Sequence, residues 1–186
     1  MSPAARIATA LFLASIDRPV EILAQQIVFE KAIDLRSMFV SAEWGNALCT
    51  TPDGGTAITG FTTTSFLPLL GDALLVRTSA SGDTLWTRTY GGAGDDSGKA
   101  IVQCADGGFA ICGTTTSSGA GSADFDLLRT DAFGNLQWSR TYGGAGLDDA
   151  NDLCLLPDGG FALVGSTYSS GAGQSDVLVI RTKANG

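Results

Sequence analysis

The chain has 186 residues, 44% hydrophobic and 16% charged, with 25 glycines and a net charge of −8. Its length and apolar content are enough for a domain with a sizeable core, and they exclude a disordered chain. The acidic balance disfavours nucleic acid and membrane surfaces as partners, and the absence of histidine removes imidazole-activated nucleophiles and His-containing zinc sites.

Residues 1–26 stand apart from the rest. Arg6 precedes an apolar run over residues 7–16, and Leu23-Ala24 resembles the end of a secretory leader, although Asp17, Arg18 and Glu21 depart from that pattern. The segment reads either as an atypical signal peptide, which places the protein outside the cell or on its surface, or as a short N-terminal arm. The apolar run is well short of the ~20 residues that span a bilayer, so no membrane span is expected. Residues 27–33, Ile-Val-Phe-Glu-Lys-Ala-Ile, match residues 136–142 in their apolar, aromatic and basic positions, and read as an orphan outer strand.

A 52-residue rhythm follows. It separates Trp86 from Trp138, Tyr90 from Tyr142, Asp72 from Asp124 and Asp176, and Arg77 from Arg129 and Arg181. The units are residues 43–90, 91–142 and 143–186, the third lacking its own fourth strand. In the middle unit Ala100-Ile101-Val102 forms one strand, residues 109–114 a second, 124–130 a third and 135–142 a fourth. Asp106-Gly107 between the first two predicts a hairpin, read as a two-residue type I′ turn. No 3.6-residue apolar stripe persists, whereas β-branched and aromatic residues fill each run. A repeating four-stranded unit with turn chemistry at each junction predicts an all-β fold, a β-propeller of four-stranded antiparallel blades with about three blades in this chain, in preference to a sandwich.

Residues 158–165, Asp-Gly-Gly-Phe-Ala-Leu-Val-Gly, the Ser-Gly-Ala-Gly loops and Trp-Ser-Arg-Thr-Tyr-Gly-Gly at 138–144 resemble the tandem repeats of secreted bacterial and archaeal β-propeller proteins, loosely related to Kelch-like and quinoprotein-like blades. Residues 131–138 resemble a quinoprotein docking motif with a shortened turn and no threonine. The resemblance covers residues 43–186 and implies architecture, with no cofactor.

Three blades are too few for a ring of four to eight. Either further blades belong to the propeller, or two chains build six blades and each lends its first strand to the other. In the first unit, residues 65–71 replace Ser-Gly-Ala-Gly by an apolar insert, either a cap over the blade edge or a contact patch.

Blade geometry would place Glu43, Asp95, Asp96, Asp148 and Asp149 on one rim, with Asp72, Asp124 and Asp176 beside them. Such a rim suits sugar hydroxyls, a protein partner or calcium, although no calcium-loop motif is present. Part of this charge is expected to be structural, with Asp124 beside Arg140 and Thr141, Asp72 beside Arg88 and Thr89, and Asp176 beside a donated Lys31. Asp53, Asp106 and Asp158 are turn formers, and Trp86 and Trp138 pack between blades. Gly-Gly-Ala-Gly lacks the lysine and context of a phosphate loop. The four cysteines show no metal pattern; Cys104 and Cys112 are read as pointing to opposite faces of one hairpin, and all four as free buried thiols. No unique catalytic constellation emerges. The expectation is a non-enzymatic extracellular scaffold or binding surface, with a lectin-like module, calcium-dependent or not, as the first alternative and a quinoprotein-like or hydrolase fragment as the second.

Overall fold

The structure, a computed structural model, describes residues 31–33, 42–63 and 70–186. The leader at 1–26, most of the orphan strand and the apolar insert fall largely outside these residues. Eleven strands make up the regular structure of the described residues: β1 (Ala42–Thr50), β2 (Thr56–Thr63), β3 (Gly71–Thr78), β4 (Thr84–Tyr90), β5 (Asp96–Gln103), β6 (Phe109–Thr115), β7 (Asp124–Thr130), β8 (Leu136–Tyr142), β9 (Asp148–Leu155), β10 (Phe161–Thr167) and β11 (Asp176–Arg181). They form three antiparallel sheets in simple chain order, β1 to β4, β5 to β8, and β9 to β11. The fold is therefore all-β, and successive sheets fall at the sequence period.

Each Asp-Gly turn supplies three residues where the sequence signal predicts two. Gly107 N–H donates to Cys104 O at 2.9 Å and Cys104 N–H to Gly108 O at 2.8 Å, and only Gly107 has positive φ, at 84°. This is a type I turn followed by a left-handed glycine, and not the type I′ turn expected. Asp106 keeps an ordinary backbone conformation, so its carboxylate is free to accept Gly108 N–H at 3.1 Å and to reach the neighbouring strand. The same bonding recurs at Thr51–Gly54 and Leu156–Gly159, and in the turns closed by Gly82 and Gly134.

The turn type changes the register. Asp131 N–H bonds Asn135 O, and a bulge between Arg129 and Thr130 shifts the pairing once more, so Leu127 faces Arg140 and Asp126 faces Thr141. Asp124 thus lies beyond the expected Arg140 and Thr141. In the first sheet Leu75 and Leu74 face Arg88 and Thr89, so Asp72 is not their neighbour either. Arg88 and Arg140 instead lie over the rings of Trp86 and Trp138, at 5.4 and 5.5 Å. Within the chain Lys31 pairs with Asp83; most of the orphan strand that would bring Lys31 to Asp176 lies outside the described residues.

Apolar residues on both faces of the sheets drive the next level of packing. β5 packs on β1, β2 and β3, and β9 packs on β5, β6 and β7. Between the first two sheets lie Ala57, Leu75, Tyr90, Ile101, Phe109, Ile111 and Leu128; between the second and third lie Ala110, Cys112, Phe125, Leu127, Phe161 and Leu163. Trp86 meets Phe109 edge-on at 6.2 Å and 64°, and Trp138 meets Phe161 with the same distance and angle, so the two tryptophans do pack between sheets. The two interfaces are copies of one another.

Cys104 and Cys112 correct a second expectation. With Cys104 facing Gly108, and Ala100 facing Cys112, the two share one sheet face and both join the core between sheets two and three. They lie four residues apart along that face. All four cysteines are free, but Cys49 is half-buried and Cys154 is exposed rather than buried. Burial pushes the Cys112 thiol up to about 12, which keeps it protonated and inert.

A second repeated element is the ion pair beneath each turn. Arg77, Arg129 and Arg181 reach Asp53, Asp106 and Asp158 at 2.6 Å, and the Arg129 guanidinium holds the Asp106 carboxyl below its usual range. The Arg129 side chain is 9% exposed but that of Arg181 is 70% exposed. Removing Asp106 strands a buried cation, which costs about 1 to 3 kcal/mol; removing Asp158 frees a solvated one. Denaturant titration should therefore find Asp106→Ala destabilised by that amount and Asp158→Ala close to wild type. Equal losses would show that the carboxylates act only through the turn.

Candidate functional site

The five rim acids follow from the sheet geometry. Asp96 and Asp148 open β5 and β9, and Glu43 occupies the matching place in β1, each opposite a threonine of the second strand. Asp95 and Asp149 are their chain neighbours.

Most of these carboxylates are engaged by the protein itself. Asp96 Oδ2 accepts Gly92 N–H at 2.9 Å and the Ser117 hydroxyl at 2.5 Å, and Oδ1 accepts the Thr115 hydroxyl. Asp148 Oδ2 accepts Gly144 N–H at 2.7 Å and the Ser169 hydroxyl at 2.5 Å. Burial opposes the Asp148 charge, but the Ser169 and Thr167 hydroxyls and the Gly144 and Ser169 N–H groups outweigh it, and its carboxyl titrates below the usual range. Asp149 takes Lys99 and the Thr114 hydroxyl. Asp95 is exposed and accepts Gly71 N–H at 3.2 Å. These acids tie the Gly-Gly-Ala-Gly loops to the following sheet. Among the described residues, no three His, Cys, Asp or Glu side chains are grouped to hold a metal ion.

A different place offers an unspent polar group. Where the outer strands of the first two sheets diverge, a cleft of about 580 Å³ opens between β4 and β7–β8, lined by Arg88, Tyr90, Asp96, Ser117, Asp126, Leu128, Asn135 and Leu136. Its floor is ordered by the Tyr90 hydroxyl, which donates to Gly134 O at 2.6 Å. Asp126 shares the sheet face of Leu128, and its Oδ1 is buried with no hydrogen-bond partner. Burial, and then the negative charge of Asp96, push its carboxyl up to about 7. A carboxyl with that value exchanges its proton near neutrality, acting as donor below it and acceptor above.

The same groove recurs between sheets two and three, lined by Tyr142, Gly143, Gly144, Thr167, Ser169, Ser170, Leu178 and Ile180. Leu178 stands there in the place of Asp126, because each faces the glycine of its second strand, Gly165 or Gly113. Leu74, facing Gly60, is the first sheet's version. Asp126 is thus the one acid in a position that two copies fill with leucine. Asp126 does not repeat, so the 52-residue pattern leaves it unmarked, and the departure among Leu74, Asp126 and Leu178 is the signal that singles it out.

No family model matches the chain. Over 67% of its length the chain is 27% identical to the regulatory protein FlaEY of Caulobacter vibrioides, and it spans 14% of that protein's length. Among the described residues no helix is long and apolar enough to cross a membrane.

An isolated buried carboxylate weakens the fold that carries it. Asp126→Leu, which restores the residue of the other copies, is expected to raise the melting temperature. The native carboxyl titrates above its ordinary 3.8, so the folded wild type binds a proton that the unfolded chain releases. Wild-type stability therefore falls relative to the variant as pH rises from about 4 to about 7, and the gap in melting temperature widens over that range. A flat gap, or a destabilised variant, would mean that Asp126 is satisfied within the protein.

Proposed function

We propose that the three sheets are blades of a β-propeller and that the chain is a non-enzymatic module working outside the cell as a rigid binding scaffold. The observation that carries this reading is the replicated interface: Trp86 on Phe109 and Trp138 on Phe161 meet at the same distance and angle. Applying one inter-sheet step repeatedly, with first strands adjacent, generates a radial array. Export is supported by the basic start and apolar run at residues 6–16. Turnover is disfavoured by the chemistry of Asp96 and Asp126, the carboxylate pair that lines the cleft between the first two sheets. Asp96 accepts three protein donors and has little capacity left to act as base or nucleophile beside Asp126. The regulatory name of the FlaEY protein accords with a role exercised by binding. Electron microscopy of the particle is expected to show sheets radiating from a common axis with β1, β5 and β9 innermost. Two facing layers would overturn the proposal.

A lectin-like reading is favoured by one specific feature, the Asp126 cleft. An unpartnered carboxyl oxygen, the Ser117 and Asn135 polar groups, and the apolar Leu128 and Leu136 supply the hydrogen-bonding and hydrophobic surfaces that a polyhydroxylated ring requires. A glycan array should show saturable binding that Asp126→Leu abolishes. Because the cleft holds no cluster of metal-ligating groups, chelation of calcium should leave that binding intact. Retained binding in the variant would place the sugar elsewhere, and loss on chelation would return calcium to the rim.

A further inference from the structure

We infer that the cleft between the first two sheets selects an amino sugar with a free amine, whose ammonium group is held by Asp126. This narrows the reading of the cleft as a sugar site, and it rests on that reading.

The wall around Asp126 is rich in acceptors and poor in donors. Asp126 Oδ1 is buried without a hydrogen-bond partner, and the Ser117 and Thr115 hydroxyls give their protons to Asp96. A sugar hydroxyl arriving there brings one donor and two lone pairs, whereas an ammonium brings three donors, no acceptor and a positive charge.

Charge decides between the two. Asp126 and Asp96 oppose one another's ionisation, and among the described residues neither forms an ion pair with a lysine or arginine. Arg88 lines the same cleft, but its guanidinium lies over the Trp86 ring at 5.4 Å and donates to Thr87 O at 2.8 Å. Tyr142 and Cys112, which feel the Asp126 charge, are a phenol and a thiol raised by burial, and both stay neutral. A cation in the cleft therefore supplies at once the missing donor and the missing counter-charge. Calcium suits the place less well, because it takes six to eight oxygens and among the described residues no three ligating side chains are grouped to hold a metal.

The remainder of the cleft suits a ring. Its volume of about 580 Å³ lies within the range of small-molecule sites, and Leu128, Leu136 and Asn135 line it with apolar and amide surface. The groove between sheets two and three keeps Asp148 and Ser169 in the places of Asp96 and Ser117 but has Leu178 in the place of Asp126. The second carboxyl is what the first cleft adds.

Titration calorimetry with three oligosaccharides of one backbone tests this: β-1,4-linked glucosamine, its N-acetylated form and the glucose oligomer. Near neutrality the glucosamine oligomer is expected to bind more tightly than the other two by about tenfold, the worth of a hydrogen bond to a charged group. Its affinity should fall about tenfold per pH unit as pH drops from about 7 to about 5, because Asp126 takes up the proton that the bound ammonium excludes. Asp126→Asn should abolish both the preference and the pH dependence. Asp158→Asn deletes the same charge outside the cleft and should change neither, and the thermal transition of each variant shows that it is folded. Equal affinity for the three sugars, or tighter binding of a neutral one, overturns the ammonium assignment and leaves the sugar reading standing; binding of none ends both. A preference that survives Asp126→Asn, or that Asp158→Asn also removes, belongs to the net charge of −8 and overturns the assignment as well.

Discussion

A sheet that is apolar on both faces cannot remain alone in water, and this constraint organises the molecule. Sheet two turns Ile101, Ile111 and Leu128 one way and Ala110, Phe125 and Leu127 the other. Each face needs a cover, and the repeat supplies a sheet of the same design on either side. Phe109, Phe125 and Phe161 are buried to below 2% exposure, and each contributes about 1.5 to 3 kcal/mol by leaving water. None of them achieves this within its own sheet. Stability accordingly resides in the joints between sheets, as in other linear repeats.

The sheets and the period were legible because strand and turn residues recur at fixed phase and the pairing is local. Register was less legible, for a reason that lies in a single residue class. Asp106-Gly107 promises a hairpin but leaves open how many residues the loop contains. A two-residue loop would pair residue 105 with 108, whereas the type I turn with a left-handed Gly107 joins Cys104 to Gly108. That one-place slip carries Cys104 onto the face of Cys112. The equivalent turn after Asp131, with its bulge, carries Asp124 away from Arg140. Turn conformation decided both, with the bulge at Arg129 and Thr130 adding to the second, and a two-fold side-chain period turns a one-residue error into a change of face.

The turn aspartates gained a role that position alone did not reveal. Spacing marked Arg77, Arg129 and Arg181 as repeated, and Asp53, Asp106 and Asp158 likewise, but no local rule joins residues 23 or 24 apart. They meet because the second strand runs back from the turn and the third returns beside it, which brings the end of β3 or β7 under the loop. The ion pair then locks the turn to the strand that has to follow it. The same arginine is sheltered in sheets one and two and exposed in sheet three, so the worth of an identical pair is set by the neighbour that covers it.

Repetition also separates acids that hold the fold from one that does not. Asp96 and Asp148 are held by the same serine and glycine donors at 2.5 to 2.9 Å, although Asp148 Oδ1 and Glu43 Oε1, like Asp126 Oδ1, are buried without a hydrogen-bond partner. The Oδ2 oxygens of Asp96 and Asp148 are committed to loops that would have to come apart before a ligand could claim them. Asp126 is under no such obligation. Its counterparts are Leu74 and Leu178, and the fold forms around either residue type. Leaving its oxygen without a donor costs about 1 to 3 kcal/mol, a cost that leucine avoids in both neighbouring sheets.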